Sequence, residues 1–448
     1  MSTDTPDNPF RRTNLEAGPA APLHTATATA ATDGITGIDQ TQPPRVSFLW
    51  LVLFALSFAG VYVIVLSPIT VTLALRVGAL VPAADAGGAL GLIVSIGAFG
   101  ALIAQPLFGR LSDGTTSRLG MRRPWILLGL VGSAVGTTIM ALAPNLALLG
   151  LGFVLVQILV NAAGASLYGV LADQVPVEQR GVASGIIGTS IPISLPLGAF
   201  LVQLVSPNAF LMFMLPLVAG AIPIIVFAFY LKDRRLAPED KRPFSFGEFF
   251  GAFWVNPIRF RDFGLVWWGR FFFILAYAFL TTYQAFYLIS ELGADAIDVP
   301  GLILTSTLVL SGLTLISSLL GGKLSDVLRR RKVFVVGAAI IYGIGLIVIT
   351  QAQDFTVFLV GMGIAGFGFG AYAAVDTALF VDVLPSRATA AKDLAVGSIA
   401  STLPQSLAPA MAPLILAMSS NSYSVLYLVA AVCAIFSAVF ILPVKNAR

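Results

Sequence analysis

Two charged residues lie inside apolar stretches of the sequence that are long enough to cross a membrane. Asp376 lies in the tenth of these stretches, and Arg270 lies near the start of the seventh. A charge at such depth is unfavourable unless it is protonated, hydrated or paired, so both residues are functional candidates. We hypothesise that they face one another as an ion pair or a proton-responsive latch. The alternatives are that Arg270 extends to the lipid interface and that Asp376 is hydrated in a shallow vestibule.

A short element of acidic and basic residues occurs twice. The second apolar stretch is followed by Gly109-Arg110-Leu111-Ser112-Asp113, and the eighth by Gly322-Lys323-Leu324-Ser325-Asp326. A further acid ends the fourth and the tenth stretches, at Asp173 and Asp382 respectively. The two copies of each acid are 213 and 209 residues apart. Two markers with nearly equal offsets indicate a duplicated six-helix unit, a repeat that is typical of secondary transporters.

The elements that position these residues are twelve apolar stretches between residues 48 and 443. Each is about 18 to 27 residues long, which is enough to cross a hydrocarbon core. We therefore predict an all-α membrane protein whose twelve transmembrane helices form two pseudo-symmetric six-helix bundles. The predicted organisation is a disordered cytoplasmic tail at 1–46, a first bundle at 47–231, a cytoplasmic central loop at 232–262, a second bundle at 263–443 and a cytoplasmic tail at 444–448.

Composition and charge distribution support this class and give it an orientation. The chain is 57% hydrophobic and 11% charged, which excludes an ordinary soluble domain. When the stretches are threaded from an internal N-terminus, every Lys and Arg except Arg76 falls on the cytoplasmic side. This is the bias expected from the positive-inside rule, so we predict a multi-pass plasma-membrane protein with both termini in the cytoplasm. The net charge of +4 reflects the same bias and indicates no nucleic-acid partner.

Several kinds of chemistry are excluded by what the sequence lacks. The single histidine, His24, lies in the polar tail, so neither a pair of histidine metal ligands nor a Ser-His relay can form in the membrane. The single cysteine, Cys433, excludes an intramolecular disulfide. No phosphate-binding loop of the Gly-x-x-x-x-Gly-Lys-(Ser/Thr) type is present, so ATP is not the energy source. We predict no metal, no cofactor and no enzymatic activity.

Glycine spacing in the tenth stretch matches a dinucleotide-binding pattern by chance. Gly361-Met362-Gly363-Ile364-Ala365-Gly366 has the spacing, but it lies in an apolar span and follows no strand. We interpret it as close helix packing through small residues, together with the pairs Gly366-xxx-Gly370 and Gly181-xxx-Gly185.

The repeated Gly-x-Leu-(Ser/Ala)-Asp loop with its basic residues resembles that of the major facilitator superfamily. Within it, residues 112–126 (SDGTTSRLGMRRPWI) are similar to the SDxCTSRxGRRRPFI element of sucrose transporters and their glycoside–pentoside–hexuronide relatives. Leu66-Ser67-Pro68, Gln105-Pro106 and Leu171-Ala172-Asp173 also resemble that group. The resemblance implies alternating access of a sugar-like solute, most simply by proton symport.

Two positions depart from the sucrose transporters. Counting back from Asp173, the carboxylate on their fourth helix falls on Gln157, and the arginine of that helix falls on Tyr168. Gln157 could still hydrogen-bond a hydroxyl group but could not carry a proton. The departures therefore disfavour sucrose itself and leave a hydroxylated solute as the expected class.

The resemblance also implies a set of gating residues. Asp113 would face the start of the eleventh helix, while Arg122 or Arg123 pairs with Asp173. In the other half, Asp326 would face the start of the fifth helix. A carboxylate is stabilised at a helix start by the free N–H groups and the macrodipole. The alternative is that loop charges only obey the positive-inside rule. The remaining gating candidates are Arg118, and Arg329 or Arg330 as the partner of Asp382.

In the superfamily, helices 1, 4, 7 and 10 line the cavity, and here they offer amides, hydroxyls and aromatic rings. Such groups suit a neutral polyol better than an ion, because a buried ion needs counter-charge. Single tyrosines could instead form an interfacial belt or pack in the core. Tyr277, Thr281 and Thr282 are also available. The predicted solute-binding residues are Tyr62, Gln157, Asn161, Tyr283, Gln284 and Tyr372.

We therefore predict a functional monomer in the lipid bilayer that moves a small hydroxylated organic solute, sugar- or glycoside-like, by proton-coupled symport. One alternative is a proton-antiport exporter of amphipathic compounds, favoured by an apolar cavity. A second is a membrane protein that senses a solute without transporting it. A third, a membrane enzyme, would need a clustered acid/base or metal set that the sequence does not offer.

Overall fold

Among the residues that the structure describes, twelve helices are long and apolar enough to cross a membrane, which confirms the predicted fold class. The computed structural model describes residues 44–237, 239, 260–328, 330–384 and 390–445. The first six helices are α1 Phe48–Leu80, α2 Ala83–Asp113, α3 Arg123–Leu142, α4 Leu146–Gln174, α5 Val177–Val205 and α6 Ala209–Tyr230. The others are α7 Arg261–Ser290, α8 Val299–Leu328, α9 Arg331–Thr350, α10 Phe355–Asp382, α11 Ala390–Met418 and α12 Tyr423–Ile441. The tail predicted to be disordered lies almost wholly outside the described residues.

Short polar side chains mark where several helices begin. Asn145, Asn208, Asp354 and Ser422 each accept a hydrogen bond from the backbone N–H three residues further on. These bonds satisfy donors that the first turn of a helix cannot satisfy by itself. Helices α4, α6, α10 and α12 therefore start at positions that the sequence specifies locally.

Helix α1 contains a wide turn in its middle. Residues Pro68–Thr72 are π-helical and separate α-helical segments at Phe48–Ser67 and Leu73–Leu80. Leu73 donates its backbone N–H to the Pro68 carbonyl, five residues back. Proline has no N–H to give to the preceding turn, which loosens the α-helical ladder at this point. The wide turn packs against α7 and brings the two bundles together at mid-depth.

The two halves repeat one another in their packing. In the first bundle α1 packs on α5 and α6, α4 packs on α2 and α3, and α3 packs on α6. In the second bundle α7 packs on α11 and α12, α10 packs on α8 and α9, and α9 packs on α12. Each helix pair of the first bundle has a counterpart in the second bundle, in which both helix numbers are higher by six. Between the bundles α2 packs on α11 and α5 on α8, so the seam has the same two-fold symmetry.

Glycines allow the closest helix pairs in each bundle to touch through their backbones. A Cβ on Gly136 of α3 would lie 2.7 Å from the Gly152 carbonyl oxygen of α4. A Cβ on Gly345 of α9 would lie 2.9 Å from the Gly361 carbonyl oxygen of α10. Each second-half glycine follows its counterpart by 209 residues, the offset already seen for Asp173 and Asp382. The duplication therefore extends from the loops into the helix contacts.

The packing interpretation of the other glycines is right for some and wrong for others. Gly366 and Gly370 lie directly against the backbone of α8, so it holds for them as it does for Gly361. Gly181 and Gly185 on α5 have no atom of the described residues within 4 Å of where a Cβ would stand. These two face open space because the contacts of α5 with its neighbours lie on other sides of the helix.

Candidate functional site

A small cavity of about 60 Å³ lies between the bundles at mid-depth. The polar groups on its wall are two amides, one phenol and three threonine hydroxyls, and none of the described residues that line it is charged. Such a wall can exchange hydrogen bonds with hydroxyl groups but offers no counter-charge to an ion. The lining residues are Leu66, Ile69, Thr70, Val94, Ala98, Gln157, Leu195, Tyr277, Ala278, Thr281, Thr282 and Gln405.

Gln157 on α4 carries an unused acceptor in this cavity. The residue is 5% exposed, and its side-chain Oε1 is buried without a hydrogen-bond partner among the described residues. An unmet acceptor in a buried place is costly, so a donor from a bound molecule would be favoured there. One turn along α4, Asn161 donates its amide to the Gln157 backbone carbonyl at 2.7 Å.

Of the six predicted solute-binding residues only Gln157 lies in the cavity lining, and Tyr62, Asn161, Tyr283, Gln284 and Tyr372 lie outside it. The Tyr283 hydroxyl donates to the carbonyls of Gly87 and Pro409 at 3.4 and 3.3 Å, at one end of the seam. Gln284 donates to Ser306 on α8, within its own bundle. Tyr372 stacks on the Phe273 ring with 3.6 Å between the centroids. Tyr283 directly follows Thr282 of the lining but points about 100° away from it on α7, and Gln284 is engaged with Ser306.

Tyr62 also lies outside the lining but close to the cavity. Its hydroxyl is 3.4 Å from that of Tyr168 on α4, and the Tyr168 ring packs edge-on against Phe58. Tyr168 stays 41% exposed in this position. The two phenols therefore form a partly open polar pair where α1 and α4 meet.

The cavity contains residues that sequence reasoning did not select. Tyr277, Thr281 and Thr282 had been noted as available, and the structure places all three in the lining. Gln405 was missed because α11 was not among the helices expected to line the cavity. The sequence does offer a signal for Gln405, because this amide lies between the helix-interior prolines Pro404 and Pro409. Such prolines leave carbonyls unpaired and bend the helix, which is typical of a helix that lines a cavity.

Arg270 and Asp376 are brought together inside the second bundle. The Arg270 Nη2 atom lies 2.7 Å from Asp376 Oδ2, and the two side chains are 10% and 12% exposed. The guanidinium also sits over the Phe380 ring, 4.2 Å from its centroid. The Nε of Arg270, the Oδ1 of Asp376 and the hydroxyl of Tyr372 find no hydrogen-bond partner among the described residues. The site is thus a buried ion pair with unused polar atoms around it.

A column of aromatic rings connects this ion pair with the cavity. Tyr372, one turn from Asp376 on α10, stacks on Phe273, whose ring centroid is 6.0 Å from that of Phe369. Phe369 in turn stacks on Tyr277 of the cavity wall at 4.4 Å. Because protein interiors are close-packed, a shift at one end of such a stack displaces its neighbours. The Arg270–Asp376 pair and the cavity are therefore connected through a series of packed side chains.

One end of the bundles carries the repeated loops, and we call it the basic end because Arg122 and Arg331 lie there. Arg122 lies 2.6 Å from Asp113 and 2.9 Å from Asp173, and it also bonds the Ser112 hydroxyl. Its side chain is only 6% exposed. Burial lowers the pKa of Arg122, but the two carboxylates outweigh burial and the pKa lies above its usual value. This cluster joins the ends of α2 and α4 to the start of α3.

The other predicted gating residues lie at the same end. Asp113 pairs with Arg122 of its own bundle, and its side chain is 60% exposed. Asp382 pairs with Arg331 at 2.7 Å, whereas Arg330 stands at the first position before α9 and makes no capping side-chain bond. Arg329 and the Asp326 side chain lie outside the described residues. Arg118 is exposed in the loop before α3.

Asp233 is a site residue that the sequence did not reveal. Its carboxylate accepts the backbone N–H groups of both Arg122 and Arg123 at 2.7 Å, and so caps α3 from beyond α6. Burial raises the pKa of Asp233, and the two N–H bonds offset that shift only in part. Gly120 passes directly over this carboxylate with φ +109°, a conformation and a space that only glycine fits.

The bundles close on one another at the opposite end, which we call the acidic end because Glu291, Asp295 and Asp354 lie there. A Cβ on Gly91 of α2 would lie 2.6 Å from the Tyr283 hydroxyl and closer still to the Pro409 carbonyl of α11. Across the symmetric seam, Gly301 of α8 lies against the Gln203 side chain of α5. The cavity is therefore sealed from the acidic end by direct contact between α2 and α11 and between α5 and α8.

Two solved transporter structures share the fold over about nine tenths of this chain but little of its sequence. A D-xylose–proton symporter superposes with a TM-score of 0.67 at 14% identity, over 90% of this chain and 99% of that chain. A bacterial homologue of the human lysosomal transporter Spinster, in an inward-facing and occupied conformation, superposes with a TM-score of 0.63 at 16% identity, over 89% and 96%. At these identities the likeness shows the fold alone.

Curated relatives match only a part of the chain. The class D tetracycline resistance protein of Salmonella ordonez is 35% identical over 117 residues, which is 26% of this chain and 28% of that protein. The class G protein of Vibrio anguillarum is 37% identical over 109 residues, 24% of this chain and 26% of that protein. The match thus spans about a quarter of each relative.

The sequence profile of the Major Facilitator Superfamily matches residues 48–391 and 298–448, which together take in all twelve helices. With the duplicated bundles, the repeated acid–base loops and the cavity at their seam, this match establishes that the chain is a multi-pass membrane transporter belonging to the Major Facilitator Superfamily.

Proposed function

We propose that the protein carries a small, uncharged, hydroxylated organic solute, sugar- or glycoside-like, across the plasma membrane by proton symport. The observation that carries this proposal is the pairing of an uncharged amide and hydroxyl cavity with a buried acid–base pair outside it. The solute-binding wall is formed by Gln157, Tyr277, Thr281, Thr282 and Gln405. The coupling acid is Asp376.

Solute recognition in this proposal rests on hydrogen bonds. The unpaired Oε1 of Gln157 accepts a hydrogen bond from a hydroxyl group of the solute. The threonine hydroxyls and Gln405 form hydrogen bonds with the remaining hydroxyl groups. The Tyr277 ring packs against an apolar face of the solute. An ionic solute is disfavoured because the lining offers no charged partner. The cavity enlarges as the bundles part, because it lies between them.

Proton coupling acts on the ion pair. A proton taken from the side of the acidic end neutralises Asp376 and weakens its bond to Arg270. The released Arg270 keeps its contact with the Phe380 ring. The displacement of the loosened ion pair is passed through the rings of Tyr372, Phe273 and Phe369 to Tyr277, which contacts the solute. The proton leaves Asp376 on the other side of the membrane after the two bundles have rocked.

The basic end is cytoplasmic in this scheme, in agreement with the bias of Lys and Arg. When it closes, Asp113 and Asp326 face the starts of α11 and α5, as the superfamily resemblance implies. Arg122 keeps its bond to Asp173 and Arg331 its bond to Asp382 in both states. The protein acts as a monomer in the bilayer, because each bundle pair encloses its own cavity.

A second candidate is a proton-antiport exporter of amphipathic compounds. It is favoured by the partial similarity to tetracycline resistance proteins and by the amide at position 157 of α4, where the sucrose-transporter resemblance would place a carboxylate. Uptake by purified protein separates the candidates. In proteoliposomes with an acidic exterior, labelled sugars or glycosides should accumulate inside. If none accumulates and the vesicles instead move amphipathic dyes against the proton gradient, the symport proposal fails.

The coupling acid can be tested apart from the solute. Asp376→Asn should abolish accumulation driven by a proton gradient, because an amide cannot release a proton. It should retain exchange of labelled for unlabelled solute at equal concentrations, which needs no net proton movement. Asp85→Asn, an exposed acid at the start of α2, should behave as wild type. Gradient-driven accumulation that survives in Asp376→Asn removes Asp376 as the coupling acid.

The seal at the acidic end gives a matched pair of glycine variants. Gly91→Ala places a methyl group against the Pro409 carbonyl and the Tyr283 hydroxyl, so the seal should open. Gly88→Ala places it 4.0 Å from the nearest atom and should change nothing. The readout is labelling of Thr281→Cys in a Cys433→Ser background by an impermeant maleimide applied from the acidic end. We expect several-fold faster labelling with Gly91→Ala only; equal rates in both variants would show that α2 and α11 do not form the seal.

A further inference from the structure

A second pocket lies at the acidic end and shares no lining residue with the central cavity. It has a volume of about 190 Å³ and is formed by the last turns of α1, the start of α6 and the connections that precede α6 and α8. Most of its wall is apolar. The lining residues are Thr72, Leu75, Arg76, Ala79, Ser206, Pro207, Ala209, Met212, Phe213, Ala296 and Ile297.

Arg76 is the charged residue of this outer pocket and is poorly satisfied. One terminal nitrogen, Nη2, donates to the Ala143 carbonyl at 2.6 Å. Its Nε is buried without a hydrogen-bond partner, and no ion pair of Arg76 occurs within the described part of the chain. A guanidinium has five N–H donors and prefers a planar, bidentate acceptor such as a carboxylate. Arg76 is also the one basic residue that the charge bias leaves on this side.

Thr72 adds a second unmet polar group to the same wall. It lies four residues before Arg76 and is 2% exposed, and its hydroxyl has no partner in the part of the chain that the structure describes. Its O–H can donate to an anion that an N–H of Arg76 also contacts. A buried hydroxyl left unpaired costs free energy, as does a cation without an acceptor. Both costs are removed by one small anionic group in the pocket.

We propose that the outer pocket binds a small amphipathic carboxylate whose body is about one ring in size. The carboxylate accepts hydrogen bonds from Arg76 and Thr72, and the apolar body contacts Leu75, Met212 and Phe213. The size follows from volume, since an apolar cavity of about 150 Å³ already holds benzene. Ala296 and Ile297 belong to the second bundle, so the bound molecule bridges both bundles where they are sealed. This binding does not depend on the identity of the transported solute.

Benzoate is the probe for this site, and benzamide is its uncharged control of nearly equal shape. Isothermal titration of the purified full-length protein in detergent should detect benzoate binding, with benzamide at least about tenfold weaker because it lacks the charge-assisted bonds. Arg76→Gln should weaken benzoate by about tenfold or more and leave benzamide unchanged. Arg261→Gln, an exposed arginine at the start of α7, should bind benzoate as wild type.

A variant that spares Arg76 guards against misfolding of the Arg76 variant. Ala79→Phe fills the pocket from the last turn of α1 and should block benzoate and benzamide alike. The proposal is overturned if wild type binds neither molecule at 10 mM (roughly the weakest useful affinity), or if Arg76→Gln and Ala79→Phe both bind benzoate as wild type does. Since no transport is measured, failure here is distinct from failure of the symport proposal.

Discussion

Arg270→Gln is expected to abolish uptake and to lower the free energy of unfolding by about 3–5 kcal/mol. The variant leaves the Asp376 carboxylate buried without its partner, and removing one member of a buried ion pair costs more than removing both. The measurements are thermal unfolding in detergent and solute uptake in proteoliposomes. The exposed Arg261→Gln is the control and should unfold with the wild type.

The double variant Arg270→Gln with Asp376→Asn separates stability from coupling. It holds no buried charge at this site, so most of the lost stability should return. Proton-driven accumulation should stay absent, since the titratable group is gone. If the single Arg270 variant is as stable as wild type, or if the double variant is no more stable than the single one, the two residues are not a buried pair in the membrane.

Arg122→Gln is expected to destabilise the protein far more than the matching change Arg331→Gln. Arg122 is 6% exposed and holds Asp113, Asp173 and Ser112, whereas the Arg331 side chain is 30% exposed in its pair with Asp382. We expect a loss of about 3–5 kcal/mol for the buried position and about 1 kcal/mol or less for the half-exposed one.

The two variants control for each other, since both remove an arginine that pairs with the acid at the end of the equivalent helix. Thermal unfolding of both variants in the same solution conditions and the same detergent compares their losses of stability. Raised salt should weaken the Arg331 pair more than the Arg122 cluster, because exposed charges are screened more strongly than buried ones. Equal losses in the two variants would mean that burial does not decide the strength of these clusters.

The fold was predictable from the sequence because its signals are local and repeated. Apolar length specifies each helix, and the offset between the two copies of the acidic loop specifies the duplication. The structure extends that offset to glycine pairs such as Gly136–Gly152 and Gly345–Gly361. The meeting of Arg270 and Asp376 is one of the alternatives that their depth leaves open, since each is a charge that a bilayer disfavours.

The contacts that could not be predicted depend on the direction in which a side chain leaves its helix and on residues that are far apart in the sequence. Arg329, Arg330 and Arg331 are adjacent, and successive helical positions point about 100° apart, so the partner of Asp382 depends on where α9 begins. Asp233 acts on Arg122 across 111 positions, with no pattern to link them. Tyr283 and Gln284 have suitable chemistry, but the direction of Tyr283 on α7 places it in the seal, and Gln284 is engaged with Ser306. The likeness to the sucrose group stays a prediction.

The wide turn of α1 sets the angle, around the helix axis, between the residues of α1 that line the central cavity and those that line the outer pocket. Thr70 lies on the wall of the central cavity, while Thr72 and Arg76 lie on that of the outer pocket. A π turn holds an extra residue, so tightening it to an α turn would rotate everything beyond it by about 100°. A shortening of this segment by one residue would therefore swing the Arg76 guanidinium out of its recess, even with every side chain unchanged.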